Sequence, residues 1–262
     1  MLVFLDPYGL AIPFDQLVEQ LFHRRHTTEV VVNFSLAALR RLGGFLDKDY
    51  WDRTEPGPVD LFGESAKPDM SPERARKATE QRDRMIALMD EFLGGGWWHD
   101  IKRSSGPGWR EYVRDEYVRR LCGAGSRGWM SWAVSIPDKF DGKPVYDLIL
   151  FTRHSHGLWL FNDASSLAYF KHYRRAWGRS NWVRYARVTV RCEPPPELGH
   201  EFEARIRHDV LSAVRVGRSF VVAKAMDTIF GDAVRGKAGA KHVRAALQGL
   251  HQDGLIGNPA AE

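Results

Sequence analysis

The chain has 262 residues, of which 44% are hydrophobic and 27% charged, a balance typical of a globular protein with a sizeable core. No apolar run approaches the roughly 20 residues of a membrane-spanning helix, nothing resembles a signal peptide, and two cysteines, Cys122 and Cys192, are too few for a disulfide framework. We therefore expect a cytoplasmic protein, and the net charge of +5 favours a polyanionic partner.

The hydrophobic pattern predicts an α/β fold. Strands are expected where short apolar runs end in turn residues, at 1–6, 29–34, 129–136 and 145–152. The connection between the last two is short enough for a hairpin, so this pair is predicted to be antiparallel. Helices are expected where apolar residues recur at helical spacing, at 13–22, 35–42, 71–93, 107–121 and 158–177.

The run Pro194-Pro195-Pro196 is the predicted domain boundary. It separates a methyltransferase-like α/β domain at 1–193, interrupted by an insertion at about 47–125, from a helical segment at 197–262. Helices are predicted there at 200–216, 221–230 and 240–252, followed by a small strand at 255–256. Helix, short turn, helix and strand is the order of a winged helix-turn-helix.

A strand-end motif is the first candidate for chemistry. The first strand runs directly into Asp6, Pro7, Tyr8 and Gly9. In amino-methyltransferases a related tetrapeptide accepts hydrogen bonds from the target amine, and its aromatic ring stacks on the flipped base. This chain has one proline instead of two, and a structural strand-to-helix turn explains the motif equally well.

Neither a cofactor loop nor a metal site is indicated. The stretch Gly123–Gly128 matches G-x-G-x-x-G, but it follows a predicted helix and precedes a strand, the reverse of a nucleotide cradle. His154, His156 and Asp163 lack specific ligand spacing, so we expect polar residues at the end of the sheet there and no metal.

A basic stretch with interleaved aromatic residues is the candidate for nucleic-acid contact. No acidic residue lies between Asp163 and Glu193. The expected contacts there are Arg174, Arg175, Arg179, Trp182 and Arg184. A solvated helix end with half-buried aromatic residues would give the same pattern.

Three further cations would lie at the front of the second helix of the predicted helix-turn-helix, where a recognition helix contacts DNA. They are Lys237, Lys241 and Arg244. Units of this kind also mediate protein contacts, and both interpretations stay open.

Three stretches resemble the three-Cys-motif partner proteins (TcmP). They are Phe4–Gly9 with Ile12-Pro13, Val30–Phe34, and Val145–Thr152 with His154 and Gly157. The resemblance implies a class I methyltransferase-like, partly Rossmann-like sheet with a helical insertion and a C-terminal winged-helix-like segment. It also implies a bacterial protein encoded beside a three-cysteine-motif, radical-SAM-like partner, with nucleic-acid processing as the expected field of action.

Family members carry a cofactor-binding half-domain ahead of the first of these stretches, and the chain has no counterpart to it. We therefore expect either a truncated product or a remnant that binds without catalysing, with an unpaired strand edge that makes the free monomer poorly stable. S-adenosylmethionine would be the cofactor of the full-length form, as an amino-methyltransferase. There Asp6, Pro7 and Tyr8 would orient the substrate amine and Asn33 would line the same cleft. The alternative is a non-catalytic DNA-, RNA- or protein-binding module that uses the C-terminal helix-turn-helix.

Overall fold

The computed structural model describes residues 1–6, 12–23, 28–46, 72–126, 128–139, 142–184, 196–214 and 221–257. Over these residues it confirms a mixed α/β fold with a four-stranded sheet. The chain forms two compact units. The first consists of Met1–Trp129 with Val145–Asp147, and the second of Met130–Pro144 with Leu148–Glu262. The predicted boundary at Pro194–Pro196 stays a prediction.

The first unit begins with two parallel strands, as the apolar runs predict. Strand β1 is Leu2–Leu5 and strand β2 is Glu29–Phe34. Leu2 lies opposite Glu29 and Leu5 opposite Val32. The segment between the strands includes helix α1, Phe14–Leu17, which continues as a π-helical turn at Val18–Phe22.

Four more helices lie in the described part of the first unit. They are α2 (Leu36–Gly43), α3 (Pro72–Leu93), α4 (Trp98–Ser104) and α5 (Trp109–Ala124), with short 3-10 turns at Gly44–Leu46 and Gly106–Gly108. Ser35 caps α2 by accepting a hydrogen bond from the backbone of Ala38 at 3.0 Å. Helix α4 was not predicted, because seven residues are too few to show a helical period.

Aromatic packing holds β2, α3 and α5 together. Phe34, Phe92 and Tyr117 are fully buried. The ring of Phe92 stacks on Tyr117 at 5.1 Å between centroids, and Phe34 lies 5.3 Å from the same ring. Each such pair contributes about 0.5–1.5 kcal/mol beyond the area it buries.

The remaining two strands extend the sheet. Strand β3 is Met130–Pro137, strand β4 is Pro144–Thr152, and the strand order is β1-β2-β4-β3. A parallel crossover needs about a dozen residues or more. The connection at 138–143 is too short for that, so the adjacent strands β3 and β4 are antiparallel, as predicted.

The helices that follow β4 belong to the second unit. They are α6 (Ser155–Arg184), α7 (Pro196–Ala213), α8 (Met226–Ile229) and α9 (Ala240–Gln252), with a 3-10 turn at Val222–Lys224. Helix α9 packs along α7, and its buried side chains include Val243, Ala246 and Leu250. No helix in the described ranges is long and apolar enough to cross a membrane.

The prediction of a helix-turn-helix is wrong for two of its elements. The helix expected at 221–230 is a 3-10 turn followed by the single turn α8, and residues 255–256 form a turn instead of a strand. Ile229 and Phe230 are fully buried. Tertiary packing of these two residues, with Phe230 at φ −106° and ψ 71°, outside the helical region, therefore overrides the local helical pattern.

Candidate functional site

Asp6 and Asn33 meet at the carboxyl ends of two parallel strands. Since Leu5 lies opposite Val32 in the register, the next residues along each strand are Asp6 and Asn33. The side-chain nitrogen Nδ2 of Asn33 donates to Oδ1 of Asp6 at 2.8 Å. Ligands of α/β sheets bind at this end of the strands. The structure therefore brings together two of the four predicted catalytic residues.

The hydrogen bond fixes which way the Asn33 amide points. An ionised carboxylate only accepts hydrogen bonds, so the NH₂ group of Asn33 faces Asp6 and its carbonyl oxygen Oδ1 faces away. That oxygen is buried and has no hydrogen-bond partner among the described residues. Buried acceptors are nearly always satisfied in folded proteins. The geometry thus leaves one acceptor for a donor from outside the described chain.

The pair offers one accessible acceptor, the carboxylate of Asp6. Asp6 is exposed, so solvent and ligands reach its carboxylate, whereas Asn33 is half-buried and its Oδ1 is fully buried. A donor group such as an amine can bond to that carboxylate. The other two predicted catalytic residues, Pro7 and Tyr8, lie outside the described residues.

Gly125, the middle glycine of the stretch that matches G-x-G-x-x-G, lies in a tightly packed position. A side chain at Gly125 would come within 2.9 Å of Cβ of Phe22 and 3.0 Å of the Trp129 ring. The indole of Trp129 also donates to the backbone oxygen of Phe22 at 2.9 Å. The space beside Gly125 is therefore filled by protein, and no adenosyl group fits there.

The histidines and the carboxylate considered for a metal have separate surroundings. His154 and His156 are exposed at the start of α6. Asp163, two turns further along, accepts a hydrogen bond from the backbone of Ala240 at 2.7 Å and so caps α9. Capping α9 accounts for the position of Asp163, and no metal-binding role is needed to explain it.

The predicted nucleic-acid contacts fall on two helices of the second unit. Arg174 and Arg175 are exposed on α6, and Lys241 and Arg244 are exposed on α9. Lys237, in the segment before α9, is half-buried. Arg179, Trp182 and Arg184 lie in the last turns of α6, and their side chains are outside the described part of the chain.

One aromatic residue of the basic stretch is buried. Tyr173, which lies next to Arg174 in the sequence, is only 7% exposed. Its ring packs inward, because position 173 lies on the covered face of α6. It therefore offers no face for base stacking.

A polar cluster on α6 holds the segment that leads into α9. Oδ1 of the fully buried Asn162 accepts from Trp132 Nε1 at 3.1 Å and from the backbone of Gly236 at 2.9 Å. Its Nδ2 donates to the backbone oxygen of Ala238 at 2.8 Å. The hydroxyl of Ser166 donates to the backbone oxygen of Lys237 at 2.7 Å.

Sequence analysis missed this cluster. Asn162, Asp163 and Ser166 interrupt the apolar start of a helix, and that was the available signal. A polar side chain in a helix that is otherwise apolar usually has a buried partner. Those partners lie more than 70 positions away, so the sequence does not predict which residues they are.

A second buried polar pair lies in the first unit. Asp147 on β4 is fully buried and accepts from the Arg114 guanidinium on α5 at 2.9 Å. Arg114 also contacts Asp115 at 2.8 Å. The pair joins a helix to a strand and has no open face for a ligand, since the Arg114 side chain is only 18% exposed.

Comparison with known proteins found no match: no family model, no curated protein and no solved structure corresponds to the chain.

Proposed function

We propose that this protein is methyltransferase-like, that its Asp6–Asn33 pair receives the amino group of a nucleobase, and that it acts on nucleic acid. The observation that carries the proposal is the 2.8 Å hydrogen bond between the two side chains at adjacent strand ends. It supports the interpretation of Asp6-Pro7-Tyr8-Gly9 as a substrate motif, because a mere strand-to-helix turn does not require a partner on the neighbouring strand.

The chemistry of the pair suits an exocyclic amine. In the proposal one N–H of the amine donates to the exposed Asp6 carboxylate, and the NH₂ group of Asn33 holds that carboxylate in place. A fixed acceptor at the strand end orients the amine.

S-adenosylmethionine is the methyl donor that the resemblance implies. The stretch that matches a cofactor motif does not fit it, because the space beside Gly125, the middle glycine, is filled by Phe22 and Trp129. We therefore derive no methyl-transfer step from this chain. In the proposal, catalysis needs cofactor-binding residues beyond those described.

The sheet and the family resemblance support the same assignment. The resemblance implies a partly Rossmann-like sheet, and the described sheet contains the parallel pair β1 and β2, with β4 between β2 and β3. The stretches that resemble TcmP proteins overlap the end of β1 and most of β2 and β4. In the proposal the partner is a three-Cys-motif protein.

The alternative is a non-catalytic binding module. It is favoured by the exposed cations on α6 and α9, which do not depend on the Asp6–Asn33 pair. In that case the second unit carries the function and binds DNA, RNA or a protein.

Saturation-transfer NMR with adenosine and cytidine tests the amine site. We expect transfer from the wild-type protein to both nucleosides and much less to their N,N-dimethyl analogues, which have no N–H to donate. Asp6→Ala and Asn33→Leu should abolish the difference, whereas the control Asp138→Asn, in an exposed turn, should keep it. Equal transfer to the dimethylated nucleosides would contradict the proposal.

A further inference from the structure

The exposed cations of α6 and α9 lie close together in the second unit. Lys241 Nζ sits 5.0 Å above the Phe170 ring, and Phe170 is one helical turn before Arg174 on α6. Lys171 is the neighbour of Phe170 and is also exposed. Cations from two helices that are 66 or more positions apart in sequence therefore share one surface. We call it the α6–α9 surface.

We propose that the α6–α9 surface binds duplex DNA, with α9 facing the major groove and the cations of α6 on the phosphate backbone. The inference rests on the nucleic-acid association proposed above and names the class of nucleic acid. It is independent of the Asp6–Asn33 pair.

The outer face of α9 has the pattern of a helix that contacts DNA. Four of its exposed side chains recur at helical spacing, Lys241, Arg244, Gln248 and His251, and the fifth is the terminal Gln252. The opposite face is buried and includes Val243, Ala246 and Leu250. All five exposed side chains are hydrogen-bonding groups, and none is acidic. A helix of this width fits the B-DNA major groove, which is about 12 Å wide, and not the narrow major groove of A-form RNA.

The start of α9 is fixed against α6 before any ligand arrives. Asp163 caps the backbone of Ala240 at 2.7 Å, and Ser166 and Asn162 hold the carbonyl oxygens of Lys237 and Ala238. The ring of His242 stacks against Phe170 with 5.6 Å between centroids. Because the start of α9 is already ordered, binding costs little conformational entropy there, and this favours affinity for a rigid partner.

The charges on the surface have no described acidic partner. Neither α9 nor α6 beyond Asp163 contains an acidic residue. Among the described residues, no ion pair involves Lys171, Arg174, Arg175, Lys241 or Arg244. These cations can therefore neutralise phosphates without first breaking an ion pair of the described structure.

The aromatic residues favour a duplex over a single strand. Single strands are bound on exposed aromatic rings that stack with the bases. Of the described aromatic residues near the cations, Tyr173 is buried, Phe170 is covered by Lys241 and His242, and Tyr169 is half-buried against Phe170 and Phe202. The described part of the surface therefore offers charge and a polar helix face, but no fully exposed Phe, Tyr or Trp ring.

Fluorescence anisotropy at increasing salt tests the inference. The probes are a mixed-sequence DNA duplex of roughly 20 base pairs, about two helical turns, the corresponding single strand and the RNA duplex. We expect the full chain to prefer the DNA duplex. Between about 50 and 200 mM salt its affinity should fall with a log–log slope of about 0.9 per phosphate contact.

Substitutions to glutamine remove charge and keep the long side-chain stems. Arg174→Gln, Lys241→Gln and Arg244→Gln should each lower the slope by about 0.9 and weaken duplex binding. Lys139→Gln, in the exposed turn after β3, is the matched control and should leave both unchanged. Thermal unfolding confirms that each variant is folded.

The outcomes separate this inference from the proposed function. Preference for single-stranded DNA or for the RNA duplex would overturn the duplex-DNA assignment and leave nucleic-acid association standing. No binding to any of the three probes at low salt would overturn both. If the three substitutions leave duplex binding unchanged, the DNA contact does not lie on the α6–α9 surface and the inference is wrong.

Discussion

At the scale of single residues, the Asp6–Asn33 pair shows how an amide is oriented by its partner. The carboxylate fixes the NH₂ group of Asn33, and the amide oxygen is left as a buried acceptor. His242 shows the same principle. Its Nδ1 accepts the backbone N–H of Gly239 at 3.0 Å, as a glutamate does in a capping box, and this requires the neutral ring.

The state of His242 predicts a dependence of stability on pH. Burial lowers the pKa of His242 below its ordinary value near 6.5, the charge of Lys241 lowers it further, and the carboxylates of Glu203 and Asp163 oppose the shift. The unfolded chain then takes up the proton at a higher pH than the folded one. The contribution of neutral His242 is complete above about pH 7 and is lost as the pH falls through 6.5 towards the folded-state pKa.

Urea unfolding at a series of pH values measures this effect. The free energy of unfolding should decrease more steeply between pH 7.5 and 5.5 in the wild-type protein than in His242→Asn, whose amide oxygen can take the place of Nδ1 but does not titrate. The exposed His200 gives the control, His200→Asn, which should keep the wild-type slope. Parallel curves for the wild type and His242→Asn would contradict the role given to His242.

At the scale of elements, the segment at 231–239 is held mainly by contacts with α6. Gly236 adopts a φ of +69°, where glycine is favoured, and a side chain there would overlap Val134 on β3. Its N–H donates to the buried Asn162. The segment at 231–239 therefore positions the start of α9, and its own conformation is set by its contacts with α6 and β3.

Replacing Asn162 should therefore loosen the second unit. Asn162→Ala removes three hydrogen bonds and leaves Trp132 Nε1, the N–H of Gly236 and the carbonyl of Ala238 buried without that partner. We expect a loss of about 3–5 kcal/mol in the free energy of unfolding, measured in urea. Ser165→Ala on the same helix removes only a bond to the carbonyl of Phe161 and should cost about 1 kcal/mol or less. A loss for Asn162→Ala no larger than that of the control would show that the cluster is not a structural anchor.

At the scale of the whole molecule, β1 is the edge of the described sheet, and its outer surface is apolar. Met1, Leu2 and Phe4 are 64%, 65% and 61% exposed. β1 itself, Leu2–Leu5, carries no charged residue, proline or bulge, the features that protect natural edge strands from pairing with other chains. An apolar edge of this kind promotes association between molecules.

Self-association of the chain is the expected consequence. In a dilution series followed by light scattering, the wild-type protein should associate as its concentration rises, and Phe4→Lys should shift the transition to higher concentration. Leu255→Lys removes an isolated leucine that is 55% exposed outside the sheet and should have little effect. Association that is equal in the wild type and Phe4→Lys would place the contact elsewhere.

The sequence by itself determined the local features of this protein. The apolar runs identified β1, β2, β3 and β4, and the bounds of α9 agree with its helical period. The family resemblance also implied that Asp6 and Asn33 line one cleft. The strands and α9 depend on residues a few positions apart.

Only the tertiary structure decided the rest. The helix expected at 221–230 is broken because Ile229 and Phe230 are buried, and Tyr173 packs inward although its neighbours are charged. Asn162 and Gly236 are 74 positions apart, and their hydrogen bond fixes the approach to α9. The burial of a side chain and the partner that satisfies it depend on what the fold brings near, and no local pattern contains that information.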